Sequence, residues 1–190
     1  MPSPSSPTRL IVFADARRIA RGPTAEVLAL LRERRDDTPY LVFDEQTGEV
    51  LDFDVHHQAG TVAPAAGADT PHEAPRGVGR PKLGVVAREV TLLPRHWDWL
   101  NHQPGGASVA LRRLVQEASR VNAERDATRA SREATYRFMT AIAGALPGFE
   151  EAARALFAGQ QARFDELIAD WPGDVVEHLR RLSASAWSEA

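Results

Sequence analysis

The sequence predicts an α+β protein in three parts: an N-terminal ββαββ unit, a central strand-helix-helix segment and a small C-terminal helical module. Two observations carry this. Short apolar runs separated by turn residues occupy the first 57 positions, and helical spacing broken by Pro-Gly pairs takes over after Pro94. Between them, residues 58–78 hold almost no large apolar side chain, which makes them a flexible linker.

The elements follow in order. After a Pro/Ser leader at 1–7, Arg9–Ala14 (RLIVFA) has the apolar density of a strand, Asp15-Ala16 forms a tight turn, and Arg17–Arg21 returns antiparallel. Pro23 suits the first turn of a helix that runs to about Arg34, with Val27, Leu28, Leu30 and Leu31 as its apolar face. Tyr40–Asp44 is a third strand. Glu45–Gly48 is a hairpin turn with glycine at the position that needs positive φ, and Glu49–Val55 alternates as a fourth strand. These make a unit over 8–57.

The second segment, 79–122, opens with a basic arm and a strand from about Val85 to Leu93. Pro94 then starts a helix bearing Trp97 and Leu100, which stops at Pro104-Gly105-Gly106. Ser108 is placed to cap the next helix, whose stripe is Leu111, Leu114, Val115, Ala118 and Val121. That helix either runs on to Ala143 or breaks in the polar stretch 122–133. In the third segment, 123–190, Pro147-Gly148, Gly159 and Trp171-Pro172-Gly173 divide the chain into three short helices. Their expected buried faces are Phe149, Leu156 and Phe157; Phe164, Leu167 and Ile168; and Val175, Val176, Leu179 and Leu182.

Composition narrows the function classes. With no cysteine, disulfides and thiolate metal sites are excluded. No window approaches the roughly 20 apolar residues of a membrane span, and the N-terminus lacks a basic cluster followed by an apolar run, so a cytoplasmic protein is expected. The net charge of −3 conceals a basic middle: residues 76–130 hold 10 Lys+Arg against 5 Asp+Glu. Phosphate recognition would leave such a footprint.

Strand, helix and helix within GRPKLGVVAREVTLLPRHWDWLNHQPGGASVALRRLVQEASRV resemble the ribbon-helix-helix DNA-binding proteins. In that architecture the strands of a dimer enter the major groove. The resemblance implies a homodimeric DNA-binding protein, a transcriptional regulator without a cofactor. Arg88, Arg95, Arg112 and Arg113 would flank the phosphates, and the backbone at Gly106 and Ser108 would approach one closely. Two strand registers are open, one exposing Ala87, Glu89 and Thr91 and the other Arg88, Val90 and Leu92. Arg80, in a Gly-Arg-Pro flanked by Arg76 and Lys82, is similar to the core of an AT-hook, an arm that lies in a narrow minor groove. Taken whole, the chain resembles a bacterial family filed as domain of unknown function 2239. VFADARRIARGP, the central block, LPGFEEAARALFAG and DWP carry that resemblance, which offers no catalytic residues to carry over.

Two other readings stand beside the regulator. In the first, the strand-helix-helix segment only dimerises and the chain is a protein–protein adaptor, contacting partners through 8–57 or 123–190. In the second, Asp52, Asp54 and His56 on one strand face ligate a divalent cation in a small enzyme, with His57 adjacent. Among the aromatics, Trp97 is expected in the core and Trp99 at an interface. The phosphate-binding glycine loop, the His-Glu-x-x-His helix and the Gly-x-Ser-x-Gly turn are all missing from the sequence, so an enzyme is not the leading expectation.

Overall fold

The apolar run Leu10–Ala14 is buried without interruption, which an antiparallel strand achieves only when both faces of its sheet are covered. In the computed structural model, which describes residues 9–35, 38–53, 86 and 88–187, that strand is β1 (Arg9–Ala14). It pairs antiparallel with β2 (Arg17–Pro23) on one side and β3 (Tyr40–Asp44) on the other. β4 (Val50–Leu51) completes the order β2-β1-β3-β4. Asp15 and Ala16 turn the first hairpin at φ +46° and +64°, the positive values a two-residue hairpin requires.

Alternation along the strands sends side chains to two cores. Leu10, Val12, Ala20 and Val42 meet Val27 and Leu31 of helix α1 (Thr24–Glu33), with Leu51 and Phe53 packed alongside. Ile11, Phe13 and Phe43 face the other way, into the C-terminal helices. There Phe138 lies 5.2 Å from Phe13 and 4.8 Å from Phe43, ring centre to ring centre. The two ends of the chain therefore build one core, with the sheet in the middle layer.

Those helices are α4 (Ala123–Ala143), α5 (Phe149–Phe157), α6 (Gln161–Leu167) and α7 (Gly173–Leu182), ending in a 3-10 turn at Ser183–Ser185. They divide at the predicted Pro and Gly positions. Cross-layer bonds fix them to the sheet. Arg137 Nη1 donates to the Thr47 carbonyl at 2.8 Å, and the Arg18 amide donates to Asp174 Oδ2 at 2.8 Å. Gly48, at φ +64°, lets the β3–β4 turn sit directly on α4, since a Cβ there would fall 2.3 Å from the Ala134 carbonyl oxygen.

Several expectations are corrected. Pro23 ends β2 and precedes α1 rather than lying inside the helix, and Leu30 is 56% exposed because α1 buries only a narrow stripe on the sheet. The fourth strand is two residues long, with Asp52 and Phe53 beyond it. Residues 54–57, like the leader and the 58–78 linker, lie outside the described residues. Phe157 is half exposed at the C-terminal end of α5. The expected strand ending at Leu93 is not formed in its described part: residues 88–93 belong to no sheet and pair with no described strand that could share a hydrogen-bond ladder.

Candidate nucleic-acid interface

Leu93 is extended at φ −65° and ψ 149° and leads into helix α2 (Pro94–Asn101), with proline at its first position. Helix α3 (Gly106–Val121) follows a tight turn. Gly105 makes that turn at φ +84°, where a Cβ would also press on the Val109 side chain at 3.1 Å. Gly106 is likewise positive at φ +73° and opens α3, so the helix starts two residues before the expected cap. Ser108 sits inside the first turn and not at the cap. Asn122 separates α3 from α4. Its side-chain Nδ2 donates to the Ala118 carbonyl at 2.8 Å and closes the end of α3. The polar stretch thus breaks the long helix at its first residue.

What this hairpin lacks is a core. Of its large apolar residues only Leu100 is buried, beside the small Ala110. Val90, Leu93, Trp97, Trp99, Val109, Leu114, Val115 and Val121 are exposed, from 36% at Trp97 to 65% at Val121. The predicted stripe on α3 is present in spacing yet uncovered. Trp97, expected in the core, is on the surface, since α2 buries only Leu100 among its apolar residues. So much apolar surface on one hairpin is unusual for a chain that acts alone.

The same hairpin carries cations without acidic partners. Arg88, Arg95 and Arg113 make no ion pair among the described residues, and Arg112 donates only to the Ser108 carbonyl, at 3.2 Å. By contrast Arg129, Arg137, Arg154, Arg163 and Arg180 on the following helices each pair with a carboxylate, as Arg120 does with Glu117 at the C-terminal end of α3. Thr91 is exposed in the segment before α2. Arg76, Arg80 and Lys82 lie outside the described residues. Of the proposed metal ligands, Asp52 is exposed, while Asp54, His56 and His57 fall outside the described residues. No group of three possible ligands occurs among the described residues.

A second charged centre lies at the seam between sheet and α7. Glu45, expected as an ordinary turn residue, is buried. Its Oε2 accepts from Arg9 Nε at 2.8 Å, and its Oε1 accepts from Arg21 Nε at 2.7 Å and pairs with Arg181 Nη1 at 2.8 Å. Arg9 pairs with no residue of its own strand here, and Arg181 arrives from a helix 136 positions away, so no local pattern announces the cluster. One helical turn before Arg181, His178 is 2% exposed, with its Nε2 buried and unpartnered. Burial against Phe13 and Phe138 is the main reason its pKa falls from 6.5 to about 4; the nearby Arg21 and Arg18 push it the same way, and Glu45 and Glu177 oppose them.

A family model described as an uncharacterised protein conserved in bacteria, DUF2239, matches residues 9–183. The chain belongs to this family. The match runs from the first residue of β1 to the 3-10 turn, so DUF2239 takes in the sheet, the α2–α3 hairpin and the C-terminal helices together. No curated protein and no solved structure matches the chain.

Proposed function

We propose that this DUF2239 protein is a homodimeric DNA-binding protein, a transcriptional regulator, in which two copies complete each other's 88–121 segment. The observation that carries the reading is the coincidence, on one hairpin, of an uncovered apolar face and of Arg88, Arg95, Arg112 and Arg113 without acidic partners among the described residues. Apolar burial supplies the driving force for pairing copies. Pairing would place residues 88–93 of two chains side by side, where a ladder could form. The unpaired Arg88, Arg95, Arg112 and Arg113 would then face phosphates, and so would the first-turn amides of α3 behind Gly105 and Gly106. Arg76, Arg80 and Lys82 would add an arm along the minor groove.

The test is fluorescence anisotropy of labelled A·T-rich and mixed duplexes over a range of salt. Log affinity is expected to fall linearly with log salt, with Arg113→Ala lowering the slope by about one. Absence of binding at low salt would overturn the regulator. The exposure of Trp97 and Trp99 favours a second reading, an adaptor whose hairpin binds protein only, since aromatics are enriched in interface cores. A dimer indifferent to DNA would support it.

A further inference from the structure

The cluster around Glu45 has more positive charge than its carboxylate can neutralise. Three guanidiniums, from β1, β2 and α7, converge on one buried carboxylate, and two of them share a single oxygen. Among the described residues no second carboxylate forms a salt bridge with Arg9, Arg21 or Arg181, although Asp174 and Glu177 beside Arg18 offset part of the positive charge. Glu45 occupies the Nε positions of Arg9 and Arg21 and one Nη of Arg181. The three side chains are 46, 32 and 48% exposed, so the cluster lies at the surface although its carboxylate is buried. Glu45 thereby holds the three forks in fixed positions at the protein surface. The adjacent Arg18 is already neutralised, at 2.7 Å, by Glu177.

Like charges held together with open donor edges favour an anion, and planar guanidiniums match the oxygens of phosphate in a way an ammonium does not.

We propose that the Arg9–Arg21–Arg181 cluster, preorganised by Glu45, binds a small phosphate dianion: inorganic phosphate or the terminal group of a phosphomonoester. A phosphomonoester carries about −1.5 to −2 at neutral pH and is drawn to three guanidiniums more strongly than a singly charged phosphate of a nucleic-acid backbone. The site lies in the sheet–α7 seam and uses no residue of the α2–α3 hairpin, so it stands independently of DNA binding.

Isothermal titration and thermal melting of the full chain with inorganic phosphate, against sodium chloride at matched ionic strength, test the proposal. Phosphate is expected to give a saturable single-site isotherm and to raise the melting midpoint, while chloride does neither. Arg181→Gln, on an exposed helix side, is expected to weaken phosphate affinity about tenfold or more through loss of one charge-assisted fork. Equal responses to phosphate and chloride, or unchanged phosphate affinity in Arg181→Gln, would overturn the site. An added mixed-sequence duplex that leaves the phosphate isotherm unchanged would separate it from any DNA contact.

Discussion

At the scale of single residues, His178 turns acidity into instability. Its pKa is depressed to about 4 in the fold and returns to 6.5 when the chain unfolds, so between those values the unfolded state binds more protons. Stability from this residue is fully present above pH 6.5 and is lost as pH falls towards 4. Urea unfolding across that window is expected to show a decline of about 3 kcal/mol attributable to it. His178→Phe, which keeps the ring contacts with Phe13 and Phe138 and removes the titration, is expected to flatten that part of the profile. A second site is Gly48, where positive φ and the 2.3 Å approach to the Ala134 carbonyl act together. Gly48→Ala is expected to cost about 3 kcal/mol in chemical denaturation, above the one or two of a left-handed alanine alone, because a backbone must move. The glycine's place in a hairpin turn was legible from Asp44 to Gly48. The approach of α4 was not, because α4 lies about ninety positions away.

Among the described elements, β2 and α3 each leave a side uncovered, and they manage it differently. β2 is a sheet edge blunted by a bulge opposite Val12/Phe13, by the Asp174 carboxylate on the Arg18 amide and by its run of arginines. α3 carries no such protection along Leu114, Val115 and Val121. Leu114→Asp is expected to leave the unfolding midpoint of the sheet core within about 0.5 kcal/mol, as for surface changes, while sedimentation shifts from dimer to monomer. A dimer that survives Leu114→Asp and Val115→Asp together would remove α3 as the seam. Hydrogen exchange is expected to be faster in α2 and α3 than in β1 or α4 at low protein concentration, and to slow in the hairpin as concentration rises. The stripe was visible in the sequence from its three- and four-residue spacing. Its exposure was not, since spacing records which residues share a face and says nothing of what covers it.

For the whole molecule, the sheet's second face ties the stability of both chain ends together. Phe13, Phe43 and Phe138 form one ring cluster drawn from β1, β3 and α4. Phe138→Ala is expected to cost about 4 kcal/mol and to lower the transitions of sheet and helices by the same amount in a single unfolding step. Residues 1–57 expressed alone are expected to be unfolded by circular dichroism, because Ile11, Phe13 and Phe43 would lie in water, and to gain structure when residues 123–190 are added in trans. A folded 1–57 fragment would show that α1 alone is enough cover for this sheet.

Local chemistry by itself determined the elements of this protein: RLIVFA as a strand, Asp15-Ala16 as a turn, Pro94 as a helix start, and Pro147-Gly148 and Pro172-Gly173 as breaks. Each depends on backbone preferences and periodicity that act within a few residues. Tertiary structure alone decided that the sheet's second face belongs to helices more than ninety positions downstream, that Glu45 is a buried hub, and that the α2–α3 hairpin is left bare. Those outcomes depend on which surfaces meet, and contact between distant segments leaves no mark in the spacing of either one.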